Sequence, residues 1–299
     1  MDCAGGQGLL FGRAFLNSDR QCAEYLHVVP ARPSNASLTP SESRSTTSAV
    51  SSRIRLAESE LAEDPGPSLT LVIPMFREAG RITSTLEQLH AAGLGGIRLV
   101  LVDDGSSDDT VAVANKCIER LKIVDASVVA LPRNVGKGGA VRAGMLTATT
   151  PFVGFVDADL SLDPVEIRRA LTRIKTTHGD VVVGERVVDS SVQPRLRRLA
   201  SLAFRRLSST LAPTGVRDPQ CALKIFRLEL AQDFFNPLLT NGFSFDVEIL
   251  LRARLAGATI DEMAVRWTHQ PGSKVNPVSD SLRMIGEVRR IAKHLNRPR

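Results

Sequence analysis

The chain has 299 residues, a net charge of +6, 43% apolar residues and only 4% aromatic residues. That length and apolar content support a sizeable core, and the shortage of aromatics argues against base stacking as a route to nucleic acid. The positive charge fits an anionic partner, or serves solubility alone.

In chain order, "LLFGRAFL" follows Asp2 with no basic lead-in, so it is not read as a signal peptide. Residues 1–67 are expected to be a mostly disordered extension. From 31 to 67 the chain is rich in Ser, Thr, Pro, Arg and Glu, and buries too little apolar surface to offset ordering entropy. The character changes at Ser68. "SLTLVIP" reads as a buried strand ended by Pro74, followed by a helix from Ala79 to Ala92. "IRLVLVDD" (97–104), "SVVALP" (127–132), "FVGFVDAD" (152–159) and "DVVVG" (180–184) read as further strands. Helices are expected over Thr110–Leu121, Gly139–Ala148 and Pro164–Thr176, the last with proline suited to a first turn. Strands alternating with helices predict an α/β fold with a mostly parallel sheet covered on both faces.

Four widely spaced cysteines without a CxxC pair suggest neither a zinc site nor a disulfide framework, and fit a reducing compartment. No apolar run approaches the ~18–20 residues of a bilayer span.

In such sheets ligands bind beyond the carboxyl ends of the strands. Three predicted strands finish there with polar residues: "PMFRE", "VDDGSSDDT" and "FVDAD". Asp157 and Asp159 are two apart, so a regular strand would turn both to one side and each would raise the other's pKa. A divalent cation held by oxygen ligands resolves that conflict; a turn of solvated aspartates is the plain alternative. Asp103 could accept hydrogen bonds from a base or ribose, and Asp108 or Asp109 could cap the following helix. "RNVGKGGAVRAG" (133–144) places Lys137 and glycines before a helix, a phosphate site or merely a tight turn. It lacks the Walker spacing.

Taken together and in order, "LVIPMFRE", "LVDDGSSDDT", "RNVGKGGAVRAG" and "FVDAD" resemble family 2 glycosyltransferases of the nucleotide-diphospho-sugar transferase, GT-A-like, fold. "VVVGERV" (181–187), "DPQCALKIFR" (218–227), "GFSFDVEILLRA" (242–253) and "VRWTHQPGSKVNP" (265–277) resemble further segments of the polyprenyl-phosphate sugar synthases. Within that group the likeness is greatest to the dolichyl-phosphate β-glucosyltransferases, with the mannose synthases next, and it covers about 68–295. It implies a catalytic domain over 68–299, with a nucleotide-binding half (68–160) and an acceptor-binding half (161–299).

The resemblance implies metal-dependent, inverting sugar transfer to a polyprenyl or dolichyl phosphate. The donor would be UDP-glucose, with GDP-mannose as the alternative. Pro74, Phe76, Glu78, Asp103, Asp104, Lys137, Asp157 and Ala158 would bind the nucleotide, and Asp157 and Asp159 would hold Mg²⁺ or Mn²⁺. Asp159, Arg186, Asp246 and Lys274 would form the catalytic set, with Arg186 and Lys274 meeting phosphates. Arg195, Arg198, Asp218, Gln220, Lys224 and Ser273 would bind the acceptor. Mannose synthases have a metal-holding Gln where this chain has Ser161, and the family often has Gln where it has Asp246.

Phosphate oxygen is an anionic nucleophile at neutral pH and needs little general-base help, which fits the lack of an obvious His/Asp pair. Trp267 reads as packing and His269 as structural. Residues 195–211 and 281–297 carry apolar residues at helical spacing with arginines between them. They suit peripheral contact with an anionic membrane surface, on the cytoplasmic face, or a helix packed on the domain with a solvated basic side. A soluble hydroxyl acceptor would require a base, for which Asp246 is the candidate. A nucleotidyltransferase would carry a Gly-rich Arg-Lys loop that "PMFREAGR" does not resemble. A nucleotide-binding protein without turnover is a further alternative, and a nucleic-acid module lacks any recognition motif.

Overall fold

Alternation of buried apolar residues builds the central sheet. In β2 (Leu69–Met75), Leu69, Leu71, Ile73 and Met75 face one core and Val72 faces the other. The computed structural model describes residues 27–29, 66–93, 95–187, 210–268 and 279–295. Arg195, Arg198, His269, Ser273 and Lys274 lie outside the described residues, as does nearly all of the basic segment 195–211.

Along the chain, β1 (His27–Val29) and β2 are followed by α1 (Ile82–Ala91), β3 (Ile97–Asp103), α2 (Thr110–Leu121), β4 (Ala126–Ala130) and α3 (Lys137–Met145). Then come β5 (Phe152–Phe155), α4 (Val165–Thr177), β6 (Val181–Val187), β7 (Lys224–Arg227), α5 (Leu228–Phe235), α6 (Phe245–Leu255), β8 (Ile260–Arg266) and α7 (Ser279–Leu295). The sheet order is β1-β4-β3-β2-β5-β7-β6-β8. Four pairings are parallel; those of β1 with β4 and of β7 with β5 and β6 are antiparallel. Helices α1, α2 and α4 cover one face of the sheet, and α3, α5 and α6 the other. The predicted α/β fold with helices on both faces is what forms.

His27–Val29 is a short strand that pairs antiparallel with β4. Two expectations are corrected. The strand predicted over 152–159 ends at Phe155, so Asp157 and Asp159 lie in the turn beyond it. Helix α1 starts at Ile82 rather than Ala79.

The apolar stripe of α7 is also accounted for. Met284, Val288 and Ile291 are buried against Val247 and Leu251 of α6, leaving Arg289, Arg290 and Lys293 exposed. This is the packed helix with a solvated basic side, not a stripe free to enter lipid. Among the described residues no helix is long and apolar enough to cross a membrane.

The seating of α3 depends on Gly144. A Cβ there would lie 2.5 Å from Val72 Cγ1 and 2.9 Å from Val102 Cγ2. Gly144→Ala is therefore expected to lower stability by about 1–3 kcal/mol through overpacking, read as a lower urea midpoint with unchanged slope.

Candidate active site

Parallel pairing brings the ends of β2 and β3 to one edge, with Met75 beside Asp103. The Asp104 amide donates to Met75 O at 2.8 Å, and the Val156 amide to Val72 O at 3.1 Å, so the chain past β5 reaches the same edge. There a cleft of about 640 Å³ opens. Pro74, Phe76, Glu78, Asp104, Lys137, Asp157, Ala158 and Asp159 line it. The four strand-end and loop motifs singled out in the sequence thus converge on one cavity. Arg81, Asn134, Phe243 and Arg283 also line it and were not foreseen. Arg81, Asn134 and Phe243 lie inside quoted segments, whereas Arg283 arrives only through the packing of α7.

The walls are held by local hydrogen bonds. Arg77 has φ 54° and Leu160 φ 45°, left-handed conformations that cost a non-glycine residue on the order of 1 kcal/mol. Arg77 is fixed because its amide donates to the Ser106 hydroxyl at 2.8 Å, and that hydroxyl donates to Asp103. Asp103 also accepts from the Ser106 amide at 2.9 Å and is not among the residues lining the cleft. Through these bonds Asp103, expected to meet a base or ribose, anchors the loop after β2. The Leu160 amide closes the aspartate turn onto Asp157 O at 3.1 Å, and Thr85 of α1 donates to Ala158 O at 2.5 Å. Glu78 carries Arg81 in a two-pronged ion pair at 2.8 and 2.9 Å. Its amide donates to Thr110 Oγ1 at 2.8 Å, and Thr110 in turn donates to Asp108 Oδ1, while Asp109 at the N-cap makes no side-chain capping bond.

The glycines at the start of α3 have a different task from the one expected. Asp104 accepts the amides of Val135 at 2.7 Å and Gly136 at 3.0 Å. Burial pushes its carboxyl up, and these two bonds draw it partly back. The amides of Gly138 and Gly139 donate to Asn241 O at 2.8 and 3.3 Å. Gly136 has φ +97°, and a Cβ on it would stand 2.5 Å from Asn241 O. These glycines seat the 241–242 loop against the helix start, so those amides are already engaged, and the Lys137 side chain is what this segment turns to the cleft.

Lys137 Nζ lies 2.6 Å from Asp157 Oδ1. Burial draws the ammonium down, and attraction from Asp157, Asp246 and Asp159 outweighs it, leaving it above the ordinary lysine value. The Asp159 carboxyl is pushed up, first by burial and then by Asp157. Ser161 bonds Asp159 through its amide at 3.2 Å and its hydroxyl. These bonds orient that carboxylate. Among the described residues no group of three or more His, Cys, Asp or Glu gathers around one point. The donor set is nonetheless right for a hard cation: two carboxylates in close repulsion, one already paired with a cationic side chain. Mg²⁺ is commonly held by one or two carboxylates with substrate phosphates completing its shell.

A second cluster lies deeper. Lys224 is fully buried and donates to Asp246 Oδ1 at 2.6 Å and to Cys221 O at 2.5 Å. Asp246, expected in the catalytic set, is 3% exposed and not among the cleft-lining residues. Burial pushes its carboxyl up against the pull of Lys224 and Lys137. This carboxylate is the partner of the buried Lys224 ammonium. Burial pushes the Cys221 thiol up to about 11, so it stays protonated. Arg186 grips Asp218 through Nε at 2.6 Å and Nη2 at 2.7 Å and stacks over Trp267 at 5.2 Å. Trp267 packs on the core as expected, and Gln220 is half-buried in the turn before Cys221.

Asp218 gives a pH prediction. Burial alone would raise its carboxyl, but Arg186 holds it below the ordinary value. A lowered folded pKa means the pair's stabilisation is present above the unfolded value, about pH 4, and is lost as pH falls through the folded one. Asp218→Asn should therefore shrink the stability difference between pH 6 and pH 3, measured by urea unfolding at each pH.

Comparison with known proteins now adds to this geometry. The family model "Glycosyl transferase family 2" matches residues 70–235. A dolichyl-phosphate β-glucosyltransferase of Dictyostelium discoideum is 31% identical over 239 residues, 75% of this chain and 73% of that one. The Saccharomyces cerevisiae protein of the same name is 32% identical, covering 77% and 75%, and the Homo sapiens one 30%, covering 74% of each. Among solved structures, glucosyl-3-phosphoglycerate synthase from Mycobacterium tuberculosis, in complex with Mn²⁺, UDP and glucosyl-3-phosphoglycerate, superposes with a TM-score of 0.60. It is 18% identical, with 84% of this chain and 87% of that one covered, a likeness of fold alone. The chain belongs to glycosyl transferase family 2 and is a glycosyltransferase.

Proposed function

We propose that the protein transfers glucose, with inversion, from UDP-glucose to a dolichyl or other polyprenyl phosphate, with Mg²⁺ or Mn²⁺ bound at Asp157 and Asp159. The observation that carries this reading is the meeting of two carboxylates and the Lys137 ammonium in one cleft at the sheet edge. It is supported by curated relatives of three-quarter coverage named for dolichyl-phosphate glucosyl transfer. When bound, the metal would neutralise charge developing on the leaving diphosphate.

The rest falls to the chain's own groups. Pro74, Phe76 and Glu78 are placed to border the nucleoside, and Lys137 to meet the diphosphate. Ser161 fixes Asp159, and Asp104 fixes the loop that carries Lys137. The burial of Asp246 favours a phosphate acceptor over a hydroxyl one, because an anionic oxygen attacks without a base. Arg186, with Arg195, Arg198, Ser273 and Lys274, is assigned to the acceptor side. The exposed arginines of α7 are assigned to an anionic membrane surface, held by charge and not by insertion.

A donor panel tests this. The protein, Mn²⁺ and a short polyprenyl phosphate are mixed with each radiolabelled sugar nucleotide, and label is counted in the organic phase. Label from UDP-glucose is expected. Label from GDP-mannose alone would change the sugar, and label appearing only on a soluble acceptor would overturn the lipid assignment.

A further inference from the structure

Lys137 is held more firmly than a surface lysine. It is the first residue of α3, and the amides on either side of it are engaged, Gly136 by Asp104 and Gly138 by Asn241. Its Nζ reaches Asp157 Oδ1 at 2.6 Å, with only 20% and 30% of the two side chains exposed. The ammonium also stands 5.9 Å from the centre of the Phe245 ring, the first aromatic residue of α6. One of the two carboxylates that a divalent cation would use is therefore already occupied by a cation belonging to the chain.

Two cations cannot share one carboxylate oxygen closely without strong repulsion. We infer that Lys137 is a built-in counter-ion for Asp157, displaced when a divalent cation enters, and that the displaced ammonium then turns to the donor's diphosphate. This rests on the cation site proposed above and adds an order to it. Without nucleotide, the entering cation must push the ammonium off Asp157 with no phosphate to receive it. With nucleotide, two phosphates receive the ammonium, so each ligand strengthens the other, and the coupling is reciprocal. The free protein would then hold little divalent metal and accept it chiefly together with a nucleotide.

The test is Mn²⁺ titration followed by electron paramagnetic resonance of the unbound ion, on wild type, Lys137→Met and Lys137→Arg, each checked for folding by circular dichroism. In nucleotide-free protein, Lys137→Met should bind Mn²⁺ about tenfold or more tightly than wild type, the scale expected for removing a neighbouring unit charge. Lys137→Arg keeps the charge and should stay within a few-fold of wild type. UDP should tighten Mn²⁺ binding in wild type by about tenfold and in Lys137→Met by much less. Should Lys137→Met fail to fold, Lys137→Gln takes its place in the same comparison. Equal nucleotide-free Mn²⁺ affinity in wild type and a folded neutral variant overturns the counter-ion role while leaving the cation site standing. Absence of Mn²⁺ binding to wild type even with UDP overturns both.

Discussion

Asp159→Asn is expected to reduce sugar transfer by at least about a hundredfold, more than loss of a group that merely orients a metal ligand. The fold should survive the change. Asn fills the same volume and keeps one oxygen to accept from the Ser161 amide. It also removes a repulsion. Burial and then Asp157 push the Asp159 carboxyl above its ordinary value, so ionising it at neutral pH costs folding stability. The variant's melting temperature should equal or exceed that of wild type. Initial rates of UDP-glucose turnover and a thermal melt check both halves. Full turnover in a well-folded variant would remove Asp159 from the site.

Lys224→Met should be the most destabilising single change in the described core. Lys224 and Asp246 are 0% and 3% exposed, with their charged atoms 2.6 Å apart. Removing the lysine leaves a buried carboxylate facing only the more distant Lys137. Breaking one side of a buried pair typically costs about 3–5 kcal/mol, against a total stability of about 5–15 kcal/mol. The double change Lys224→Met with Asp246→Leu should recover most of that loss, since no charge is left without a partner. Urea unfolding of the two singles and the double forms a cycle. A double variant no more stable than the single would show that the pair's worth lies in packing and not in charge.

The sheet edge was legible because short-range patterning determines it. β-branched runs ending in polar residues marked three parallel strands, and their ends meet in one cleft. What sequence could not show is mostly long-range. β7 enters antiparallel between β5 and β6, and its lysine looks misplaced until Asp246 arrives from 22 residues away. Asp103 and Asp104 are chemically alike in the chain, yet hydrogen bonds to Ser106 and to the 135–136 amides give both structural work. The glycines at the start of α3 looked like a phosphate loop, and the carbonyl of Asn241 fills that place. Strand periodicity also misplaced Asp157 and Asp159, whose proximity comes from the Leu160 turn and not from alternation.

Calorimetric titration of UDP into wild type and Asp159→Asn, with and without Mn²⁺, asks whether the paired aspartates gather a cation and a nucleotide diphosphate. Mn²⁺ is expected to tighten UDP binding by wild type and to have little effect on the variant. Equal UDP affinity with and without Mn²⁺ in wild type, or an unchanged Mn²⁺ effect in Asp159→Asn, would contradict it.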